Sequence, residues 1–331
     1  MPDVIEDKIR LVLAGQNLND DDFCDFSLEQ QNEALEVKGI QPMSSSDYTP
    51  ICQKTVTYIV AAVIVNDQDE VLMMQEAKPS CAGEWYLPAG RVEKNETLVE
   101  AVKREVLEET GLIMEPKTLL MVECVSGSWF RFVMTGEILG GTIKTPEQAN
   151  EEALQASWVQ KVEDLSLRAK DILPLIQKAR EYTKSKGIPW HPSVLPMVQS
   201  RAKLYLRLIV CIKKKATNRL HVLISEKSAL HLPIAEINPG RNVHSTLHRF
   251  MVDIFGDSVP QHRPHGLLSV EFSGGQSGDG VCLTLLVSFK PPLEEVPIFG
   301  KYIWHELAQS LAESLTARLP RNMTVPLNVI R

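Results

Sequence analysis

The sequence has few of the features that mark secreted, membrane-spanning or zinc-binding proteins. Its six cysteines form no CxxC pair, and their spacing indicates neither a zinc site nor a disulfide framework. The first residues lack the apolar segment of a signal peptide, and no apolar run reaches the roughly 18–20 residues that cross a bilayer. We therefore expect a reduced, intracellular, cytoplasmic protein with no membrane partner.

Basic charge is also scarce, because 35 Lys and Arg residues stand against 42 Asp and Glu residues and give a formal net charge of -7. Binding to a nucleic acid polymer depends on neutralising many phosphates with Lys and Arg, so this balance argues against such a partner. A small phosphorylated substrate stays compatible, since one metal ion and a few arginines can neutralise it locally. The chain has 331 residues, of which 44% are apolar, and this indicates a soluble protein of two domains.

Composition divides the chain into four parts. Residues 1–48 form a polar N-terminal extension with one short helix near 5–14. Residues 49–185 carry clear strand and helix patterns and form the first predicted domain. Residues 186–202 contain three prolines and no clear period, which favours an interdomain linker. Residues 203–331 form the second predicted domain, and no pattern in the sequence indicates an oligomeric state.

The first predicted domain opens with two apolar runs, 55–65 and 71–77, whose separation by a polar turn predicts a hairpin. The segment 97–110 predicts a helix, because apolar residues recur at helical spacing. They are Leu98, Ala101, Val102, Val106 and Leu107. Gly111 is the expected C-cap of this helix. Further strands are expected at 118–125, 129–138 and 154–160, and a further helix at about 170–185.

The second half repeats the order of these patterns. A strand, turn and strand begin at residue 207, and an LP turn with a helix follows at 231–257, offset by 145 residues from the first. Later strands, one of them containing a tryptophan, come in the same order. Four pairs are identical at this offset: Leu87 and Leu232, Pro88 and Pro233, Arg104 and Arg249, Gly111 and Gly256. We interpret the second half as a duplication of the first.

Three glutamates near the end of the first helix suggest metal chemistry. Glu105, Glu108 and Glu109 are spaced i, i+3 and i+4, so they share one helix face. Like charges at this spacing repel each other, and a divalent cation removes the conflict. Mg²⁺ prefers oxygen ligands and bridges protein carboxylates to a diphosphate. On residue types alone, an ordinary solvated charged face is the alternative interpretation.

The segment 90–112, GRVEKNETLVEAVKREVLEETGL, resembles the Nudix box of the MutT-like hydrolases. All fixed positions of that box are filled, by Gly90, Glu96, Arg104, Glu105, Val106, Glu108, Glu109, Gly111 and Leu112. A match at so many fixed positions is highly specific. The resemblance implies a Nudix α/β/α sandwich with a mixed sheet, followed by a degenerate Nudix-like α/β domain. It also implies hydrolysis of a phosphoanhydride bond.

The resemblance assigns the metal site to the glutamates of this box. Glu105, Glu108 and Glu109 are expected to bind Mg²⁺, for which Mn²⁺ can substitute, together with a backbone carbonyl of Ala89 or Gly90. Glycine at position 90 is expected to allow a sharp turn with φ > 0 and an exposed carbonyl.

The resemblance also assigns supporting roles. Glu96 is expected to help hold the helix, and Arg104 to orient a glutamate with its guanidinium fork rather than to clamp the substrate. The general base is expected to be one of the three box glutamates or Glu152. Glu151 is the neighbouring candidate, and a solvated turn is the alternative for both.

The second box lacks this chemistry. At the places of the three glutamates it has Phe250, Asp253 and Ile254, and at the places of the first glycine and first glutamate it has Ala235 and Arg241. A single carboxylate cannot hold the metal. We therefore expect the second half to be catalytically inactive and to pack, dimerise or help frame the substrate site.

Two aromatic residues are candidates for the base subsite. Trp129 and Phe130 follow the box and could stack on a base, whereas core packing is the alternative and is favoured for Phe130. The sequence lacks the markers of the ADP-ribose, NADH and dinucleoside polyphosphate hydrolases of the family; position 128, for example, is Ser.

The resemblance is strongest to the MutT-like group that clears oxidised nucleotides from the nucleotide pool. It implies Mg-dependent hydrolysis of a small nucleotide of the 8-oxo-dGDP or 8-oxo-GDP type to the monophosphate and phosphate. A nucleotide-sugar or dinucleotide pyrophosphatase on the same scaffold is one alternative. A non-catalytic nucleotide-sensing module is a second.

Overall fold

The computed structural model describes residues 2–18, 23–185, 189–275 and 278–330, so positions 186–188 of the expected linker lie outside the described residues. The helices are α1 (Pro2–Leu13), α2 (Leu28–Glu36), α3 (Leu98–Thr110), α4 (Leu173–Ser185), α5 (Val243–Phe255) and α6 (Gln309–Thr316). None of these described helices is long and apolar enough to cross a bilayer.

The strands of the first half are β1 (Thr57–Ala62), β2 (Val71–Glu76), β3 (Trp85–Tyr86), β4 (Ala89–Arg91), β5 (Leu112–Cys124), β6 (Trp129–Gly141) and β7 (Ala153–Val159). The remaining strands are β8 (Tyr205–Lys213), β9 (Leu220–Ser225), β10 (Ile234–Glu236), β11 (His262–Glu271), β12 (Cys282–Phe289), β13 (Tyr302–Glu306) and β14 (Leu327–Val329).

The first half builds two sheets, with strand orders β14-β5-β6-β1-β4 and β3-β2-β7. β1 pairs in parallel with β6 on one edge and antiparallel with β4 on the other. The predicted hairpin is therefore present only at its turn, because both edges of β1 are occupied by other strands and β2 belongs to the smaller sheet. The two runs meet at an isolated bridge between Val65 and Val71.

Alternate residues of β1 face different helices. Val60 packs in one apolar cluster with Val102 and other residues of α3, whereas Ala61 packs in a second cluster with Leu175 and other residues of α4. Because successive side chains of a strand point to opposite faces, the sheet lies between the two helices. The predicted α/β/α sandwich with a mixed sheet is confirmed.

The second half repeats these strand pairings. β12 is parallel to β8, as β6 is to β1, and β10 is antiparallel to β8, as β4 is to β1. β11 pairs with β12 and β13 with β9, as β5 does with β6 and β7 with β2. One difference is that β9 also pairs with β8, which joins β8 to β13 into one sheet. The duplicated order expected from the sequence is thus present in the fold.

The N-terminal extension is not a polar tail. Ile5, Ile9 and Val12 are almost fully buried, in a cluster with Ile209 and other residues of the second half. These three residues recur at helical spacing, so α1 presents one apolar stripe to the second sheet. The expectation of a polar extension is corrected, because its charged residues obscure this stripe in the composition.

The segment 189–202 is packed rather than exposed. Trp190 and Met197 are buried, and Leu119 donates its backbone N–H to the carbonyl of Val194 at 2.8 Å. The guanidinium of Arg201 donates to Glu271, at 2.8 Å from Nε. The described part of the expected linker therefore lies against both halves, and the predicted domain boundaries stay a prediction.

Candidate active site

Local sequence places both ends of α3. Thr97 caps the helix, because its side chain accepts from the backbone N–H of Glu100 at 3.2 Å, and the Glu100 carboxylate accepts from the backbone N–H of Thr97 at 2.9 Å. This reciprocal pair is a capping box. Gly111 ends the helix in the left-handed region with φ 76°, as predicted. The helix start and stop therefore fix which residues reach the site.

The three glutamates of α3 differ in exposure. Glu105 and Glu109 are 7% and 2% exposed and lie on the buried side of the helix, whereas the Glu108 side chain is 44% exposed. Leu107 is not part of the buried stripe, since it is 50% exposed, and its predicted place in that stripe is corrected. The helix thus turns two carboxylates inward and leaves one at the rim.

Position 90 must be glycine because a side chain there would have no room, and not because the backbone adopts a positive φ. The described positive-φ glycines do not include Gly90, so the predicted φ > 0 is wrong. Instead, a Cβ atom at this position would lie 1.9 Å from Oε1 of Glu105. The missing side chain of Gly90 leaves the room in which the Glu105 carboxylate lies against β4.

Arg104 holds the carboxylates together. Its Nε and Nη2 donate to the two oxygens of Glu96 at 2.7 and 3.0 Å, a two-point contact that fits the planar guanidinium. Its Nη1 donates to Glu105 at 2.8 Å and to Glu108 at 3.1 Å. Hydrogen bonding to Glu96 first, and to Glu105 and Glu108 in addition, raises the pKa of Arg104. This geometry is that of the orienting group expected from the sequence.

Burial makes the two inward glutamates hard to ionise. Burial raises the pKa of Glu105, against the effect of Arg104, and the charges of Glu152 and Glu108 raise it further. Burial also raises the pKa of Glu109 well above its ordinary value, although the Ala89 backbone N–H donates to this carboxylate at 2.9 Å. A neighbouring cation would offset both effects.

The donor set fits a hard divalent cation. It consists of carboxylates and of the carbonyls of β4, and such oxygen ligands suit Mg²⁺ and Mn²⁺ better than softer metals. The buried Oε2 of Glu76 has no hydrogen-bond partner among the described residues, and the charge of Glu76 raises the pKa of Glu109. In the described ranges, no three His, Cys, Asp or Glu side chains already converge at metal-binding distance. Two of the predicted metal ligands, Glu105 and Glu108, accept hydrogen bonds from Arg104 instead.

A cavity of about 830 Å³ opens beside these carboxylates, which is within the range of small-molecule sites. Its acidic lining residues are Glu93, Glu105, Glu109, Glu152 and Asp171. Its basic ones are Lys78, Arg91, Arg104, Arg131 and Arg168. Large apolar side chains also line it: Ile59, Val125, Trp129 and Ile330. The cavity therefore joins a charged end to an apolar surface.

The structure brings most of the predicted site residues to this cavity. Ala89, Gly90 and Glu152 line it, and so does Trp129. The prediction that Phe130 could stack on a base is wrong, because Phe130 is fully buried and stacks on Tyr58 with ring centroids 6.0 Å apart. Neighbouring residues of a strand face opposite ways, so Trp129 and Phe130 cannot both reach the substrate.

The sequence did not predict a second charged network that lines the same cavity. Arg131 donates to Asp171 at 2.6 Å, to Glu123 at 2.6 Å and to the Tyr86 hydroxyl at 2.9 Å. Tyr86 in turn donates to Asp171 at 3.0 Å. A signal was present, since Arg131 and Glu123 interrupt apolar strands, and a charge in a buried strand requires a partner.

The corresponding place in the second half is filled by the chain itself. Ile254 replaces the inward glutamate, and the backbone N–H of Ile234, which corresponds to that of Ala89, donates to the Asp25 carboxylate at 2.9 Å. Phe26 stacks on Phe250 with ring centroids 5.9 Å apart. An N-terminal segment thus occupies this cleft, which counts against a nucleotide-sensing role for it.

The contact between Asp25 and His231 predicts a pH-dependent contribution to stability. Burial opposes charging of His231, but the Asp25 carboxylate 3.2 Å away outweighs it and raises the pKa of His231. The stabilisation is therefore complete below the unfolded pKa of about 6.5 and is lost as the pH rises through the raised folded pKa. We expect Asp25→Asn to lower the free energy of unfolding by about 1.5–3 kcal/mol at pH 6 and by less at pH 9.

Urea unfolding at the two pH values measures this difference. Asp67→Asn, which changes an exposed aspartate, is the control and should have little effect at either pH. An equal loss of stability at pH 6 and pH 9 in Asp25→Asn would show that the charge of His231 contributes nothing.

Known proteins resemble this chain over most of its length. A model of the NUDIX domain matches residues 56–178. Proteins named 8-oxo-dGDP phosphatase NUDT18 from Mus musculus and Homo sapiens are each 36% identical, over 83% of this chain and 88% of their own length. The protein of that name from Danio rerio is 32% identical over 98% of this chain and 97% of its own. The chain belongs to the Nudix hydrolase family, whose members act on small nucleotide substrates and generally depend on divalent metals.

Proposed function

We propose that the first half hydrolyses an oxidised purine nucleoside diphosphate, of the 8-oxo-dGDP or 8-oxo-GDP type, to the monophosphate and phosphate. The observation that carries this proposal is that the buried glutamates line the same cavity as several large apolar side chains and the Asp171 carboxylate. The names of the relatives that match most of the chain support the same substrate class.

The diphosphate end of the cavity is the metal end. We assign Glu105, Glu108 and Glu109, with a carbonyl of Ala89 or Gly90, as the groups that would hold Mg²⁺, with Mn²⁺ as a substitute. Such a cation, when bound, neutralises the diphosphate and makes a bound water more acidic. The Gly90 backbone leaves the room for this carboxylate cluster.

The hydrolytic step needs one proton acceptor from the chain. The water oxygen forms a bond to the terminal phosphorus, and the bond from that phosphorus to the bridging oxygen breaks. The water proton passes to a carboxylate that lines the cavity, Glu105, Glu109 or Glu152. Arg104 acts as a positioning residue, because its contacts are with glutamates and the Arg91 carbonyl.

The base end of the cavity offers an acceptor for guanine. One oxygen of Asp171 is held by Arg131 and the Tyr86 hydroxyl. No hydrogen bond to the other oxygen is present within the described part of the chain, and Asp171 lines the cavity. The edge of guanine that carries N1–H and the 2-amino group presents two adjacent donors. A carboxylate matches such donors, and Trp129 provides an aromatic face for the ring.

This assignment predicts a selective loss in an Asp171 variant. We expect Asp171→Asn to lower kcat/KM for 8-oxo-dGDP by about 10- to 100-fold, the value of a hydrogen bond to a charged group. The loss should be smaller for 8-oxo-dADP, because the corresponding edge of its purine carries neither an N1–H nor a 2-amino group. Asp164→Asn, an exposed aspartate of the same loop region, is the control. An unchanged preference for guanine in Asp171→Asn would contradict this role.

Product analysis tests the reaction class. With 8-oxo-dGDP and Mg²⁺, the proposal requires equal amounts of monophosphate and free phosphate. A nucleotide-sugar or dinucleotide pyrophosphatase would instead leave 8-oxo-dGDP intact and split ADP-ribose or a dinucleotide into two phosphorylated fragments. Only the second pattern would replace the proposed substrate while keeping the same carboxylate site.

A further inference from the structure

The segment 325–330 joins the two halves of the molecule. Val325 forms a bridge with Leu267 on the outer strand of the second half, with backbone hydrogen bonds of 2.7 and 3.0 Å. Two residues later the chain enters the first half, where β14 runs parallel to β5 and Leu327 is paired with Val122. The segment 325–330 therefore pairs with β11, at the edge of the second-half sheet, and with β5 of the first half.

The register of β14 carries its end to the cavity. Val329 is paired with Cys124, and the backbone N–H of Ile330 donates to the carbonyl of Cys124 at 2.9 Å. Val125, the residue that follows β5, lines the cavity together with Ile330. Backbone pairing thus places Ile330 beside Val125 at the mouth of the site.

The side chains of β14 divide into two sets. Val329 packs against the apolar core that the two halves share, whereas Ile330 lines the cavity. Val125, beside it, is 49% exposed, and Trp129 lies across the turn between β5 and β6. Large apolar groups at a cavity wall contribute little to folding while they face solvent, but they favour binding of a flat apolar ligand.

We propose that Ile330, held in place by β14, is a substrate-contacting residue that forms part of the wall against which the base lies. The second half then contributes to the active site of the first without metal chemistry of its own. The identity of the ligand rests on the proposed function, whereas the contact with a base applies to any nucleotide that this cavity accepts.

The proposal predicts a loss of affinity without a loss of chemistry. We expect Ile330→Ala to raise KM for 8-oxo-dGDP by about 10-fold, as expected for lost apolar contact in a pocket. The value of kcat should stay within a factor of about two, because the carboxylate end is unchanged. For ribose 5-diphosphate, which has no base, KM should not change. Ile330→Leu should restore the affinity for 8-oxo-dGDP.

Val329→Ala is the matched control on the same strand. It should lower the melting temperature, because Val329 packs in the core, and should leave KM for the nucleotide near the wild-type value. An unchanged KM in Ile330→Ala would overturn the proposal. Equal rises in KM for 8-oxo-dGDP and ribose 5-diphosphate would also overturn it, since the effect would not depend on the base.

The same experiment separates this proposal from the proposed function. If the wild type does not cleave 8-oxo-dGDP but cleaves another nucleotide, such as ADP-ribose, the proposed substrate fails. The KM comparison is then made with that nucleotide and its base-free counterpart. A base-dependent rise in KM in Ile330→Ala would support the proposed contact between Ile330 and the base, and an unchanged KM would overturn it.

Discussion

Glu109→Gln is expected to abolish most of the hydrolytic activity while leaving the fold intact. Loss of groups that merely support a metal ligand costs about 10- to 100-fold, so the loss of a ligand itself should exceed about 100-fold in kcat. The glutamine amide keeps the shape of the side chain. Its oxygen can still accept from the Ala89 N–H, which lies 2.9 Å from the Glu109 carboxylate in the wild type. The amide cannot supply the negative charge that a metal ligand at this position provides.

Stability distinguishes this loss from misfolding. Burial raises the pKa of Glu109 well above its ordinary value, which means that ionisation of this carboxyl is unfavourable in the folded protein without a bound cation. Without added metal, the melting temperature of Glu109→Gln should therefore equal or exceed that of the wild type. The increase in melting temperature on adding Mg²⁺ or Mn²⁺ should shrink, since a more weakly bound ligand stabilises the native state less.

The second half supplies a matched control. Asp253 occupies the place of Glu108 in the degenerate box and pairs with Lys227 at 3.5 Å. Asp253→Asn should leave kcat and KM unchanged, because the cleft beside α5 is filled by Asp25 and Phe26. Full activity in Glu109→Gln would contradict the assignment of the metal site, and so would a loss of activity in Asp253→Asn as large as that in Glu109→Gln.

Gly90→Ala is expected to lower kcat/KM by at least about 100-fold, because displacing a catalytic group by about 1 Å has an effect of this size. The new Cβ would lie 1.9 Å from Oε1 of Glu105 and 2.2 Å from its Cδ. A carboxylate cannot remain at such a distance, so Glu105 would leave its place beside β4. Steady-state kinetics with 8-oxo-dGDP measures the loss.

Two further variants test this steric explanation. Ala235→Gly changes the corresponding position of the second half in the opposite sense, and it should leave activity unchanged. In a background of Glu105→Ala, adding Gly90→Ala should cause little further loss, because the group that would be displaced is absent. A full additional loss in the double variant would show that Gly90 acts by another route than the Glu105 carboxylate.

Local patterns in the sequence were sufficient to predict the part of the site that lies on one helix. Helical spacing placed Glu105 and Glu109 together, and Gly111 ended the helix as expected. These features depend on residues within a few positions of one another. The same is true of the contacts of Arg104 with glutamates, which lie eight residues or fewer away.

The remaining parts depend on contacts that no local pattern encodes. Asp171 reaches Arg131 across 40 positions, and Asp25 reaches Ile234 across 209. The predicted hairpin forms only at its turn, because β1 pairs along its length with β6, which lies far along the chain. The need for glycine at position 90 also depends on a tertiary contact. The atoms that a side chain there would displace belong to Glu105, which lies on α3 and not on β4.

The central claim is that the cavity beside Glu105 and Glu109 hydrolyses an oxidised guanine nucleoside diphosphate. The most direct measurement is release of both nucleoside monophosphate and free phosphate with Mg²⁺ from 8-oxo-dGDP, 8-oxo-dGTP, dGDP and ADP-ribose, assayed side by side with the wild type and Glu109→Gln. We predict the highest kcat/KM for 8-oxo-dGDP, well above that for dGDP, and its loss in the variant. Equal cleavage of dGDP and 8-oxo-dGDP, or cleavage of ADP-ribose alone, would contradict the claim.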